Sequence, residues 1–236
     1  MIKAVLFDLD GNLLDREVSL ERFIKSQHER LNKSVGHILK EQYVSKFIEL
    51  DCRGYIWKDK VYQQMVAEFN ITGVSWEQLL QDYVHQFKGY CVPFPNLIQM
   101  LTSLTNQSIV LGIISNGKGQ FQMDNIMALG IEHYFETILI SEKEGIKKPD
   151  PLLFKKALEQ LNITPNECIF VGDHPENDVK ASKDVGMLAA WKKTSEWENV
   201  EEDFIVHDLM EVPLLKELIV NKERTMAINE LPNRGS

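Results

Sequence analysis

The feature that most constrains this chain is the alternation of short apolar runs with amphipathic helical patterns after residue 109. Unbroken apolar runs are typical of strands that are covered on both faces of a parallel sheet. Such runs occupy residues 4–7, 109–114, 137–140, 168–171 and 187–191, and a sixth candidate is 203–206. Helical patterns lie between them at residues 119–129, 151–161 and 175–185. The alternation predicts an α/β fold built on a doubly wound parallel sheet.

The stretch from residue 16 to residue 91 interrupts this alternation. It carries four helical patterns, at residues 19–31, 35–50, 58–69 and 76–87, and no strand pattern of comparable length. We therefore predict an α-helical domain at 16–91, inserted into an α/β core that is formed by residues 1–15 and 92–222. Residues 223–236 are polar, and we expect them to form a mobile tail.

The composition excludes several classes of protein. With 236 residues, 44% of them hydrophobic, the chain can bury a core without disulfides or a structural metal. It has 26 Lys+Arg against 35 Asp+Glu, a formal charge of −9, which disfavours a nucleic-acid partner bound through phosphate neutralisation. Three widely spaced cysteines form no CxxC pair, no apolar run reaches the roughly 20 residues of a membrane helix, and no signal sequence is evident. We expect a cytoplasmic protein without a membrane partner, in an oligomeric state that the sequence leaves open.

Polar clusters follow four of the predicted strands. Ligands of an open α/β sheet bind just beyond the carboxyl ends of its strands, where these clusters would meet. Taken alone, each cluster is typical of a turn, a helix cap or a solvated charge, but their joint arrival at one edge indicates a site. The clusters are Asp8-Leu9-Asp10-Gly11-Asn12, Ser115-Asn116-Gly117, Lys147-Lys148-Pro149-Asp150-Pro151 and the run from Gly172 to Asp178.

The acidic residues of these clusters favour a metal site. Repulsion among converging carboxylates would raise their pKa values unless a cation neutralised them. Oxygen ligands without a His or Cys cluster point to a hard divalent ion, with Mg²⁺ as the expected cofactor. The four carboxylates belong to Asp8, Asp10, Asp173 and Asp178. The candidate donors for a substrate phosphate are Ser115, Asn116, Lys148 and the backbone at Gly11.

These motifs resemble those of the haloacid dehalogenase-like superfamily, over residues 2–191. The matching segments, in the family's order, are Asp8-Leu9-Asp10-Gly11, Ser115-Asn116, Lys148-Pro149-Asp150-Pro151, and Gly172-Asp173 with Asn177-Asp178. The resemblance implies a Rossmann-like core with a helical cap between the first two motifs. Asn12 stands where the family usually has threonine, and we expect a local change in hydrogen bonding there.

The resemblance also implies a Mg²⁺-dependent phosphatase that hydrolyses a small phosphorylated metabolite through an aspartyl-phosphate. Asp8 would attack phosphorus, Asp10 would protonate the leaving group and then activate water, and Lys148 would neutralise phosphoryl charge. The phosphate would be bound by Gly11, Ser115, Asn116 and Lys148. The metal would be held by Asp8, the Asp10 carbonyl and Asp173, supported from further out by Asn177 and Asp178.

Three alternatives stay open at this stage. A dehalogenase of the same superfamily is disfavoured, because such enzymes lack the second acid that Asp10 supplies here. A phosphomutase would use the same residues and differ only in where the phosphoryl group goes next. A non-catalytic binding or regulatory protein on this scaffold would be expected to have lost a motif residue, and only Asn12 departs from the pattern.

The helical insertion is expected to cover the strand ends. Only 32 residues separate Ser115 from Lys148, which leaves no room for a second cap domain. The natural hinges lie near residues 15–16 and 93–95, and a closing lid favours small diffusible phosphate esters over phosphoproteins. Within the insertion, a glycine-centred break at residues 52–58 carries Arg53 and Trp57, which are candidates for a substrate-specificity loop.

Overall fold

The computed structural model describes residues 1–220, so the predicted tail at 223–236 lies outside the described part of the chain. A six-stranded, entirely parallel sheet has the strand order β3-β2-β1-β4-β5-β6. The strands are β1 Ala4–Phe7, β2 Val110–Ser115, β3 Thr137–Ile140, β4 Cys168–Gly172, β5 Leu188–Lys192 and β6 Phe204–Val206. The predicted fold class is thereby confirmed.

The sheet is flanked by helices, and further helices fill the stretch before β2. The α-helices are α1 Arg16–Arg30, α2 Asn32–Val35, α3 Lys40–Asp51, α4 Lys58–Glu68, α5 Trp76–Gln86, α6 Leu97–Asn106, α7 Gly119–Ala128, α8 Ser141–Glu144, α9 Pro151–Leu161 and α10 Ala181–Asp184. Short 3₁₀ segments cover Cys52–Gly54, Phe87–Tyr90, Glu132–Tyr134, Pro165–Glu167 and Leu209–Leu214, and a π-helical turn covers Pro175–Lys180. Within residues 1–220, none of these helices combines the length and apolarity that a membrane crossing requires.

The chain divides into two compact units. The sheet unit comprises residues 1–13, 94–122 and those from 131 onward, and the helical unit comprises 14–93 and 123–130. The sequence assigned residues 16–91 to the insertion, and it did not assign residues 123–130 to it.

The order of strands in the sheet unit determines which residues meet. β1 lies between β2 and β4, with Phe7 level with Ile113 on one side and Val171 on the other. All four residues of β1 are buried, as its unbroken apolar sequence predicts. Because the three strands are parallel and in register, the segments that follow them emerge side by side.

Helix α9 illustrates how the sequence covers the sheet. Pro151 occupies its first turn, and the Asp150 carboxylate caps it by accepting a hydrogen bond from the Leu152 N–H at 2.9 Å. The ring of Phe154 meets that of Phe170 on β4 edge to face, with centroids 5.1 Å apart. This packing fixes the end of the loop that carries Lys148.

The helical unit has a core of its own, rich in aromatic side chains. The Phe23 ring packs edge to face on Tyr83, 5.3 Å between centroids. At the centre of this core the buried amide oxygen of Gln27 accepts hydrogen bonds from the hydroxyls of Tyr43 and Tyr62. Phe47 and Met65 are buried in the same unit.

One predicted helix begins later than expected, and one observed helix was not predicted. The helix predicted over residues 35–50 begins instead at Lys40, because Gly36 lies against the carbonyl of Asn32 in a turn that ends α2. A helix at Leu97–Asn106 was not predicted, although four buried apolar residues mark one of its faces.

Candidate active site

A lysine buried between two aspartates lies at the carboxyl edge of the sheet. The Asp8 N–H donates to the Val171 carbonyl, which continues the ladder of β1 by one residue. The Lys148 ammonium, on a residue only 3% exposed, lies 2.7 Å from Asp8 Oδ1 and 2.6 Å from Asp178 Oδ1. The neighbouring Lys147 is exposed, so Lys148 is the lysine that the third loop brings to the site.

Asn116 fixes the backbone that carries this lysine. Its amide oxygen accepts the Lys148 N–H at 2.8 Å, and its amide nitrogen donates to the Lys148 carbonyl at 3.0 Å. Both ends of the Asn116 amide thus hold the loop after β3 against the end of β2. The sequence assigned Asn116 to phosphate binding, whereas its side chain here clamps Lys148.

Three carboxylates form a cluster that suits a divalent cation. One ligand oxygen from each of Asp8, Asp173 and Asp178 lies within 4.8 Å of the others. Gly11 makes room for this cluster: its φ is +80°, and a Cβ there would lie 2.6 Å from Asp173 Oδ2. Oxygen-only ligands of this charge fit a hard divalent metal.

The raised pKa values of two aspartates in the cluster indicate that their ionised forms are unfavourable without nearby positive charge. Burial raises the pKa of Asp8 well above its usual range; Lys148 opposes this rise, and the neighbouring aspartates add to it. Burial and the charge of Asp178 raise the pKa of Asp173 to about 6. Burial by itself lowers the pKa of Lys148, but Asp178 and Asp8 outweigh it and raise that pKa. One lysine does not neutralise this group of carboxylates, so a bound cation would stabilise it.

Asn12 lies under the cluster and is completely buried. Its amide nitrogen donates to Asp173 Oδ1 at 2.9 Å and lies 3.4 Å from both Asp8 Oδ2 and the Asp10 carbonyl. Its amide oxygen has no hydrogen-bond partner among residues 1–220. The residue that departs from the family pattern therefore contacts the groups expected to hold the metal.

The loop after β4 places Asp178 closer to the centre than expected. Asp178 Oδ2 accepts the His174 N–H at 3.0 Å, and Asp178 Oδ1 bonds Lys148, so this carboxylate is part of the cluster itself. Asn177 contributes its backbone N–H, which donates to His174 Nδ1 at 3.1 Å together with the Glu176 N–H. His174 thus caps the π-helical turn through its ring nitrogen.

The sequence did not single out Gln122 on α7, which joins three of the polar groups. Its amide nitrogen donates to Asp10 Oδ2 at 2.6 Å, to Ser115 Oγ at 3.0 Å and to the Asn116 carbonyl at 3.2 Å. A signal was present: Gly119, Gln122 and Ile126 share one face by helical spacing, so the glutamine occupies a position where an apolar residue is expected.

Two residues of β5 also support the site. The Trp191 indole N–H donates to the Asp173 carbonyl at 2.9 Å, and the Lys192 ammonium donates to the Gly11 carbonyl at 3.0 Å. Lys192 also lies over the Phe94 ring, 3.4 Å from its centroid. Strand β5 therefore holds the backbones of the loops that follow β1 and β4.

The candidate specificity residues lie in the helical unit. Arg53 is exposed and has a left-handed backbone, with φ of 58°. Trp57 is half-buried and directly precedes α4, with its ring 6.5 Å from that of Tyr83. Trp57 is therefore partly committed to packing within that unit.

Comparison with known proteins agrees with this arrangement. The family described as haloacid dehalogenase-like hydrolase matches residues 5–192. The chain is 28% identical over 227 residues to the glyceraldehyde 3-phosphate phosphatase of Pyrococcus furiosus, covering 92% of this chain and 93% of that protein. It is 31% identical to the Pyrococcus abyssi protein of the same name over 198 residues, covering 82% of each. It is 28% identical to the phosphoserine phosphatase of Thermus thermophilus over 250 residues, covering 92% and 100%.

Solved structures are similar as well. An HAD phosphatase from Thermococcus onnurineus superposes with a TM-score of 0.65 at 25% identity, covering 92% of this chain and 98% of that one. The HAD-hydrolase YfnB from Bacillus subtilis superposes with a TM-score of 0.72 at 21% identity, covering 91% and 98%, and so shares the fold. The chain belongs to the haloacid dehalogenase-like hydrolases.

Proposed function

We propose that this chain is a Mg²⁺-dependent phosphatase that hydrolyses a small phosphate monoester through a covalent phosphate on Asp8. The observation that carries this proposal is the buried Lys148 ammonium between Asp8 and Asp178, beside the Asp173 carboxylate. A carboxylate nucleophile, a fixed cation and a cluster suited to a divalent metal are what transfer of a phosphoryl group to a side chain requires.

The first step forms the intermediate. Asp8 Oδ attacks phosphorus, the bond between phosphorus and the ester oxygen breaks, and the leaving oxygen takes a proton from Asp10. The charge of Lys148 stabilises the phosphoryl oxygens during this transfer. Ser115, at the end of β2, would donate its hydroxyl proton to one of them.

The second step releases phosphate. Asp10, now ionised, accepts a proton from a water molecule whose oxygen attacks phosphorus, and the bond from phosphorus to Asp8 breaks. Inorganic phosphate leaves, and both aspartates return to their starting protonation states. The same carboxyl group thus acts as acid and then as base.

The metal is proposed to be Mg²⁺. Asp8, the Asp10 carbonyl and Asp173 would hold it, with Asp178 beside them, and the buried cluster of carboxylate oxygens fits this ion. Its chemical contribution would be to shield negative charge on the nucleophile and on the phosphoryl group.

The substrate is proposed to be a small phosphorylated metabolite. The relatives are named for glyceraldehyde 3-phosphate and phosphoserine, which are compact esters. We propose in addition that the helical unit acts as the cap and that Arg53 and Trp57 influence which ester is accepted. Substituting either residue would then alter relative kcat/KM among esters while sparing p-nitrophenyl phosphate.

The test is a screen of phosphorylated metabolites with Mg²⁺, together with the Asp8→Asn variant. We expect release of inorganic phosphate by the wild type, which separates hydrolysis from mutase activity, and a loss of at least ~10³-fold in Asp8→Asn. The change is nearly isosteric, so the melting temperature serves as the control for folding. Activity of Asp8→Asn within tenfold of wild type would exclude Asp8 as the nucleophile.

A further inference from the structure

The buried amide of Gln122 lies where helix α7 meets the ends of β1 and β2. Gln122 is 3% exposed, and burying an amide is unfavourable unless it is hydrogen-bonded. Its nitrogen is placed among three acceptors: a carboxylate oxygen of Asp10, the Ser115 hydroxyl and the Asn116 carbonyl. A carboxylate and a carbonyl accept only, so the amide must present its nitrogen to them and not its oxygen.

The surrounding backbone accommodates this side chain closely. Gly117 has a φ of +146°, and a Cβ there would lie 3.0 Å from both Cγ and Nε2 of Gln122. Any larger residue at position 117 would crowd the Gln122 side chain. The glycine of the Ser115-Asn116-Gly117 segment thereby supports the placement of the glutamine.

The contact matters because it supplies a hydrogen bond that orients the Asp10 carboxylate. Asp10 follows the buried strand by three residues and is only partly buried, so its carboxylate has access to several rotamers. A hydrogen bond of 2.6 Å to one oxygen selects one of these rotamers and leaves the other oxygen to exchange a proton. An amide donor orients a carboxyl group without accepting its proton, since it offers no basic site on that side.

We propose that Gln122 is a positioning residue that holds Asp10 in the orientation for protonating the leaving oxygen. This inference rests on the proposed phosphatase activity, in which Asp10 is the general acid. It predicts a defect that depends on the leaving group. An alkyl ester needs the proton because an alkoxide leaves poorly, whereas p-nitrophenolate leaves without one.

The experiment compares kcat/KM of the wild type and Gln122→Met on glycerol phosphate and on p-nitrophenyl phosphate. Because kcat/KM reports only events up to the first irreversible step, the later attack of water does not enter. We expect a loss of about 30-fold or more on the alkyl ester and less than about threefold on the aryl ester, since general acid catalysis contributes roughly 10²–10⁴-fold. Gln120→Met, an exposed position on the same helix, is the matched control and should change neither value.

A second variant covers the case in which Gln122→Met does not fold. Gln122→Glu retains size and polarity but removes both donor hydrogens, and the same difference between esters is expected. Equal losses on both esters in a folded variant, or an unchanged value on the alkyl ester, would overturn the assignment of Gln122. If the wild type hydrolyses neither these esters nor any in the metabolite screen, the proposed function itself fails, and the assignment fails with it.

Discussion

At the scale of single residues, the site is organised by an uncompensated excess of negative charge. The buried Lys148 ammonium pairs with Asp8 and Asp178, and Asp173 lies in the same cluster of carboxylates. Removing one partner of a buried ion pair is costly, because the charges that remain have lost both water and their counter-ion. The lysine therefore contributes to folding as well as to the proposed chemistry.

We predict that Lys148→Met, measured in EDTA at pH 7, lowers the free energy of unfolding by about 3 kcal/mol. Methionine matches the length of the side chain, so the loss reflects the missing charge more than a cavity. Lys147→Met removes the same charge at an exposed neighbouring position and should change stability by less than about 0.5 kcal/mol. Urea unfolding of the two variants checks this, and equal stabilities would contradict it.

The site residues that can be predicted from the sequence are those that lie in a short, recognisable polar segment. Asp8, Lys148 and Asp173 each follow a strand in a polar cluster, and the structure brings them together. Gln122 and Lys192 could not be found in this way. Each contacts the loop after β1, which lies 112 residues before Gln122 and 181 residues before Lys192 in the sequence. Their contacts exist only once the sheet has fixed the distances.

The same limit explains the residues whose surroundings differ from expectation. The sequence around Asn177 and Asp178 does not reveal that both residues lie in a π-helical turn, in which Asp178 contacts Lys148. Likewise the segment Ser115-Asn116 does not show that the asparagine amide holds the backbone of a loop 32 residues away. Both depend on contacts between separate loops.

At the scale of elements, strands were easier to predict than the ends of helices. All six strands lie within one or two residues of the apolar runs, because burial of the inner strands on both faces leaves a local mark in the sequence. Helix α6 was missed although Leu97, Met100, Leu101 and Leu104 have the spacing of one helical face. Asn96 before it is a residue type that commonly caps helices, but here it has a left-handed backbone and makes no capping hydrogen bond.

Three helices of the helical unit are joined at one carboxylate. Asp51, at the end of α3, accepts two hydrogen bonds from Arg16 at the start of α1, at 2.8 and 3.0 Å, and one from Lys58 at the start of α4. Asp51 and Lys58 are both buried, so their charges must stay paired. The same hydrogen bonds orient the three helices relative to one another. Sequence spacing gave no indication of it.

Neutralising that carboxylate should loosen the packing of α1, α3 and α4. We predict that Asp51→Asn lowers the free energy of unfolding by about 3 kcal/mol, because Lys58 is left buried beside a neutral partner. Glu41→Gln removes one negative charge at an exposed position of the same helix α3 and should cost less than about 0.5 kcal/mol. Thermal and urea unfolding of the two variants check this prediction. An Asp51→Asn variant as stable as the wild type would show that the network is dispensable.

At the scale of the whole molecule, the carboxylate cluster couples stability to pH and to metal. The pKa of Asp173 is about 6 in the folded chain against an ordinary value of 3.8, so the folded state binds more protons between these values. Stability of the metal-free protein should therefore fall as pH rises through this window, and the raised pKa of Asp8 acts in the same direction. A bound cation needs the ionised carboxylates and reverses the effect.

We therefore predict that the increase in melting temperature on adding Mg²⁺ is larger at pH 7 than at pH 5. Activity should disappear in EDTA and return with Mg²⁺, whereas Ca²⁺, with its looser coordination, should restore it poorly. Paired thermal scans with EDTA and with Mg²⁺ across this range provide the measurement. A metal effect independent of pH, or full activity in a metal-stripped sample, would contradict the proposed site.

The central place of β1 in the sheet has a consequence for how the protein is made. A ribosome produces this strand before the other five, yet its two neighbours are residues 110–113 and 168–171. Until residue 171 has left the exit tunnel, β1 has an unpaired edge, and Asp173 and Asp178, which follow residue 171, have not emerged either. A chain that ends before residue 173 carries Asp8 without the aspartates that complete its surroundings. The topology would thereby restrict the proposed catalysis to chains whose synthesis has passed the fourth strand.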